Sequence, residues 1–304
     1  MIHPLLLKLR PMLLELKLPL SSLYNVAGIS RQAHHKGLHS MAIEDDKWRL
    51  LADLVKGYRN KYDSRAGSRS LYFNLNIKEV FGVGINQFEQ KMAELSLTLR
   101  PLRTRVVTTQ SSIQSWNYSN LTQGLEVDGI NQVVVGDLTY VIVDVHRYYL
   151  FCLTDVYSAR IVGWSLATDM KADKAIEALR MFMSVRGKPL LKNCIHHTDG
   201  GGQYFSKVYL NLLNDLGMKI SRAENCLENG HAEQKNGFIK HHLLPNVKGK
   251  ILLSVQRQVA KLIDYYNNHR KQEGLGWLSP KAFEEGLIRR NLKLHNFENN
   301  GNRF

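Results

Sequence analysis

Val133-Val134-Val135-Gly136-Asp137-Leu138-Thr139-Tyr140 is the stretch on which the fold turns. Upstream of it the apolar residues recur at helical spacing. From Asn131 onward they run consecutively or alternate, which is the pattern of strands. Two more strand-like runs follow, Tyr148 to Leu153 and Arg160 to Ala167, with Val145-His146-Arg147 as the expected hairpin turn between the first two. Asp173 to Val185 reads as a helix ended near Gly187 and Pro189. Asn193 to Thr198 reads as a short buried strand, and Tyr204 to Leu216 as a helix stopped at Gly217.

Three consecutive strands, a helix, a strand, a helix, a short strand and a further helix give the order of an α/β RNase H-like layer. The expectation is a mixed five-stranded sheet with flanking helices. Asp137 follows three valines in the first strand, where strand stability does not call for a carboxylate. Asp199 closes the fourth strand in His196-His197-Thr198-Asp199-Gly200-Gly201-Gly202-Gln203-Tyr204, whose glycines permit a sharp exit and close approach by a ligand. Glu233 is expected on a helix starting near Glu228. With the first and fourth strands adjacent, Asp137 and Asp199 stand side by side and Glu233 projects beside them.

Three clustered carboxylates repel one another and are costly without a cation. Their hard oxygens favour Mg²⁺ or Mn²⁺, and two such ions can activate an attacking oxygen and stabilise a leaving one. Taken singly, each residue has a plainer reading: a turn cap for either Asp, a solvated helix residue for Glu233. It is the combination, in this order of elements, that points to chemistry. The cysteines Cys152, Cys194 and Cys226 form no C-x-x-C pair, which excludes a disulfide framework or a cysteine-rich zinc site.

Outward from this centre the chain is basic. The net charge of +14 lies in the flanks: residues 1–122 carry 17 Lys/Arg against 9 Asp/Glu, and residues 246–304 carry 11 against 5. Residues 123–245 balance 13 against 13. Basic ends around a neutral, carboxylate-bearing centre suit a polyanion held by the flanks and processed in the middle. Charges interrupt the apolar run from Pro4 to Leu20, so no membrane span or signal peptide is expected and the chain is read as cytoplasmic.

The first 122 residues read as helical. Leu20 to Lys36 has a helix, a turn containing Gly28 and a second helix capped by Ser30, the layout of a helix-turn-helix. Arg31, Gln32, His34, His35 and Lys36 are then the exposed reading side chains, the alternative being an ordinary helical hairpin. Met41 to Tyr62 reads as a separate amphipathic helix with Trp48, Leu51, Ala52 and Val55 facing a core. A second helical pair runs through Gly82-Val83-Gly84, and Arg100 to Trp116, with Arg103 and Arg105, reads as a linker able to lie along phosphates. Four parts are expected: residues 1–62, an all-α helix-turn-helix region; 63–122, a second DNA-binding helical segment with the linker; 123–245, the catalytic core; and 246–304, a basic helical end.

Residues 123–285 resemble the integrase-type catalytic core of bacterial IS-three family insertion-sequence transposases, relatives of retroviral integrase. Asn131-Gln132 before Val135 to Tyr140, Ile161-Val162-Gly163-Trp164 and His196 to Tyr204 carry the resemblance. So do Asn225 to Glu233, Tyr265-Tyr266-Asn267-Asn268-His269-Arg270 and Leu275-Gly276-Trp277-Leu278-Ser279-Pro280. The resemblance implies that Asp137, Asp199 and Glu233 are the catalytic, metal-binding triad. It implies hydrolysis at element ends, 3′-OH strand transfer into target DNA, and multimers on paired ends of nucleoid-bound DNA. It also implies, in many members, a small helix-turn-helix partner from an upstream frame. The chain departs from the family's usual interval: 33 residues separate Asp199 from Glu233, two fewer than usual. The shortening is expected around Ser221 to Glu224. Lys240, seven residues after Glu233 and so on the same helix face, is a candidate phosphate contact, and Lys235 a second. His197 shares the sheet face of Asp199 and reads as a satisfied structural histidine. The rival readings are a nuclease of the same fold that cuts without joining, and a DNA-binding protein with an idle core.

Overall fold

A computed structural model describes residues 6, 8–11, 15, 19–100, 118–199, 201–223 and 237–289. The chain divides into two compact units, Met1–Gly57 with Met92–Leu97, and Tyr58–Lys91 with Thr98–Phe304.

α1 (Leu20–Val26) turns at Ala27 and Gly28 into α2 (Arg31–Lys61), whose residues up to Gly57 belong to the first unit. Ser30 caps α2 through its Oγ, which accepts the Ala33 N–H at 3.0 Å. α2 is one helix of 31 residues, so the two helices expected between Ser30 and Tyr62 are continuous. Gly37 costs a helix interior only about 1 kcal/mol, too little to break it. Trp48, Leu51, Ala52 and Val55 are buried as their spacing predicts.

The second unit is built on five strands: β1 (Val133–Val143), β2 (His146–Asp155), β3 (Ile161–Ala167), β4 (Ile195–Thr198) and β5 (Lys219–Arg222). Their order is β3-β2-β1-β4-β5. The first three pair antiparallel, while β4 joins β1 and β5 joins β4 in parallel. This is the mixed RNase H-like sheet expected from the order of elements. The β1–β2 turn falls at Asp144 and Val145, and His146 and Arg147 already pair. Asp144 takes φ 54°, which a short polar side chain tolerates, and its carboxylate accepts the Gly249 N–H. The expected turn was therefore placed too far along the chain.

Each sheet face has its own cover. On one, α6 (Ala172–Arg186) and α7 (Lys207–Asp215) bury Val134, Phe151, Leu153 and Val162 against Leu179, Phe182, Tyr209 and Leu213. A side chain at Gly163 would overlap the Ala178 carbonyl oxygen, so glycine lets α6 rest on the β3 backbone. On the other face, Val141, Val143, Tyr148, Leu150 and Cys152 pack with Ile239, Leu244, Val247, Val255, Val259, Ile263 and Tyr266. These come from a π-helical turn Ile239–Leu243, a 3₁₀ turn Leu244–Asn246 and α8 (Leu252–Asn268). The basic C-terminal stretch thus completes the core.

A final helix, α9 (280–289), is held by ions. Glu284 receives both Arg186 nitrogens, at 2.5 and 2.8 Å, and Arg160 at 2.6 Å, with the Ser158 hydroxyl also 2.6 Å away. Residues 68–94 form α3 (Ser68–Asn74), α4 (Ile77–Phe81) and α5 (Ile85–Glu94). Phe73 stacks on Trp277 with ring centres 3.8 Å apart, and Lys271 Nζ donates to the Phe73 carbonyl and to Asn76 Oδ1. No helix among the described residues is long and apolar enough to cross a membrane.

Candidate active site

The register of β1 against β4 builds the site. Gly136 is partnered with Thr198 in the parallel ladder, so Asp137 and Asp199 each stand one residue beyond the last shared rung. Adjacent strands lie about 4.8 Å apart, and one-rung neighbours point to the same face. Asp137 is also directly opposite Cys152, a member of the cluster covered by residues 239–266. The carboxylate pair therefore belongs to the face on which the segment just after Glu233 packs. Asp137 is half-buried and Asp199 exposed. Like charges at facing positions of a sheet destabilise it, so a neutralising partner is called for.

Backbone amides orient both groups. Asp137 Oδ1 accepts the Leu138 N–H at 2.8 Å, and Asp199 Oδ1 accepts the Gly201 N–H at 3.1 Å. Beneath them lies a packed polar layer. A Cβ on Gly136 would stand 2.8 Å from His196 Cε1, so only glycine fits the rung before Asp137. His196 Nε2 lies 2.7 Å from the Tyr209 hydroxyl, and the Tyr204 ring packs edge-on against both residues. Burial pulls the His196 pKa down to about 4, so the ring is neutral. Burial, then Tyr209, Asp137 and Asp199, push the Tyr204 phenol well above its usual range. His197 is buried, and its Nδ1 lies 2.9 Å from Ser221 Oγ, which also accepts the Leu121 N–H. This is a buried, structural setting, with Nδ1 held by Ser221.

Other expected residues divide. Glu233, Lys235, Arg103 and Arg105 lie outside the described residues, and so does the helix expected from Glu228. Lys240 lies in the π-helical turn Ile239–Leu243. Arg31, Gln32, His35 and Lys36 are exposed at the start of α2. His34 is a correction: it is 4% exposed, its ring 5.4 Å from that of Tyr24, so it fills the helical hairpin and cannot read DNA. Ser221 and Arg222 belong to β5, so they are not part of a shortened loop. Among the described residues no group of three His, Cys, Asp or Glu side chains is placed to hold a metal; two carboxylates of the expected three are together. Sequence reasoning missed His196, Tyr204 and Tyr209 as the layer under the site. The signal was Gly136, a glycine inside a strand beside the candidate Asp137.

A family model described as Integrase core domain matches residues 128–225, and a second of the same description matches residues 214–280. The transposase for insertion sequence element IS629 of Shigella sonnei is 27% identical over 295 residues, covering 93% of this chain and 95% of its own. The insertion element IS600 uncharacterized 31 kDa protein of the same organism is 32% identical over 211 residues, 67% of this chain and 75% of its own. Transposase InsF for insertion sequence IS3A of Escherichia coli K12 is 33% identical over 170 residues, 54% and 57% of the two chains.

Proposed function

The chain belongs to the IS3 family of insertion-sequence transposases with an integrase core, and DNA transposition is its activity; from that premise we propose that Asp137, Asp199 and Glu233 are the catalytic triad. The observation that carries the proposal is the placement of Asp137 and Asp199 on neighbouring parallel strands, one residue past the same rung. Phe238 and Ile239, five and six residues after Glu233, pack on the same sheet face.

The donor set fits a hard divalent cation. Two carboxylates share a face, each oriented by a backbone N–H, and their hard oxygens suit Mg²⁺ or Mn²⁺ over a softer metal. Two Mg²⁺ or Mn²⁺ ions held there would supply Lewis-acid assistance to in-line displacement at phosphorus. Leu138 and Gly201 fix the carboxylate orientations, and the neutral His196–Tyr209 layer keeps the rung from shifting. One site of this kind serves two displacements, hydrolysis at an element end and attack of the freed 3′-OH on target DNA.

The rest of the reading divides the labour. Residues 1–62 and 63–122 hold DNA, with Arg31, Gln32 and Lys36 on α2 toward the grooves and Arg103 and Arg105 along phosphates. Residues 123–245 cut and join, with Lys235 and Lys240 on the backbone. Within residues 246–304, Val247 to Tyr266 complete the sheet's cover, and the stretch adds positive charge. A multimer on paired ends in the cytoplasm completes the proposal, and a small helix-turn-helix partner rests on the resemblance alone.

The test is strand joining by the full-length protein, with duplexes carrying the element's ends and Mg²⁺. Asp137→Asn, Asp199→Asn and Glu233→Gln are each expected to lower cleavage and joining at least about 100-fold while DNA binding persists. Cleavage by the wild type without joined product would overturn the transposase chemistry in favour of a nuclease.

A further inference from the structure

Residues 68–91 have the layout of a second helix-turn-helix, separate from the α1–α2 pair. Helix α4 ends at Gly82, whose φ of 64° only glycine adopts freely, and three residues later α5 begins at Ile85. A three-residue turn containing glycine is the connection that sets two helices at the angle of this motif. The turn is fixed from inside. Val83 is 1% exposed, and its carbonyl accepts the Tyr72 hydroxyl at 3.1 Å. The Tyr72 ring lies 5.8 Å from that of Phe88, and Leu71, Ile77 and Phe88 are fully buried.

With Phe88 turned inward, the first turn of α5 presents Asn86 and Gln87 to solvent. In this motif the N-terminal residues of the second helix meet base edges in the major groove. Two adjacent carboxamides are the side chains that pair with adenine, donating to N7 and accepting from N6. Lys78 on α4 is exposed as well, and supplies a charge for a flanking phosphate. The motif is mounted firmly: the end of α3 is pinned by the Phe73–Trp277 stack and by Lys271.

Building on the transposase reading, we infer that Asn86 and Gln87 are specificity-determining residues that read adenines in the DNA the enzyme selects. The recognised element ends then contain adenine at one or two positions that α5 alone reads.

The experiment selects bound duplexes from a randomised pool with the full-length protein, then with Asn86→Ala and Gln87→Ala. The wild type is expected to enrich a motif holding adenine at positions that lose about 5- to 100-fold discrimination in the variants. Affinity for unselected duplex should stay within about twofold, which also shows that the variants fold. Replacing the read adenine by 7-deazaadenine should weaken the wild type and leave the variant indifferent. An unchanged motif in both variants overturns the inference, as does a wild type that enriches no motif. A wild type that enriches the motif yet joins no DNA ends would count against the transposase chemistry and leave the α5 reading standing.

Discussion

A methyl group at Gly136 would stand 2.8 Å from His196 Cε1 and 3.1 Å from both Leu153 Cδ2 and Thr198 Cγ2. Overpacking of this kind costs about 1–3 kcal/mol. Gly136→Ala is therefore expected to lower the urea midpoint, and to cut strand joining more than stability alone accounts for, because the displaced rung carries Asp137. An unchanged midpoint would show that the ring simply moves aside. His196 itself carries a pH dependence. Burial holds its folded pKa at about 4, against an ordinary value near 6.5. Between those values the unfolded chain binds a proton that the folded chain refuses, so stability falls as pH drops through this window and is fully present above it. The full contribution is about 3 kcal/mol. Urea titrations at pH 7.5 and pH 5 should show a steeper loss for the wild type than for His196→Gln; equal losses would contradict the neutral, buried ring. Asp137 and Asp199 were legible because a carboxylate in a valine run and one before glycines both break the local pattern. The His196 layer was not legible, because its burial comes from Tyr204 and Tyr209, which only the fold brings over it.

Among the elements, β3 and α9 show what the C-terminal motifs do. Asn267 in α8 clamps the β3 backbone: its Oδ1 accepts the Ile161 N–H at 3.0 Å and its Nδ2 donates to the Ile161 carbonyl at 2.8 Å. This closes part of the sheet's edge, a place where unpaired strands invite aggregation. Its neighbours act likewise, Tyr266 donating to the Ala159 carbonyl and Arg270 lying 3.9 Å over the Phe238 ring. The motif Tyr265 to Arg270 could be matched in sequence, but its work could not, since each partner lies 30 or more residues away. Glu284 holds α9 in the same manner. Burial pushes its carboxyl up, yet the bonds from Arg186, Ser158 and Arg160 prevail and keep it below the usual range. Removing one member of a buried ionic network strands the others, at a cost of about 3–5 kcal/mol. Glu284→Ala is expected to lose that much by urea denaturation. A loss below about 1 kcal/mol would mean that water reaches Arg186 and replaces the carboxylate.

For the molecule as a whole, the sheet is a shared wall. One face is covered by α6 and α7, which follow the strands in order, and the other by residues 239–266. A fragment spanning 118–245 would keep the Asp137–Asp199 rung but lose Val247, Val255, Val259, Ile263 and Tyr266 from over Val141, Val143, Tyr148 and Leu150. It is expected to aggregate or to unfold without cooperativity by circular dichroism, whereas 118–289 should show one sharp transition. A cooperative shorter fragment would mean that α8 only decorates the core. Sequence periodicity located β1 to β4, whose apolar runs announce themselves locally, whereas Ser221 and Arg222 of the short β5 read as loop. It could not show that a basic helical end doubles as a wall, since charge on one side of α8 conceals the apolar side. This arrangement also times the enzyme's birth. While the chain leaves the ribosome, Asp137 and Asp199 emerge well before α8. At about 5–20 residues per second, a few seconds pass in which the nascent chain has its acids and no roof over them. With Asp137 and Asp199 as the proposed catalytic acids, cutting waits until α8 has been made and has folded over the sheet.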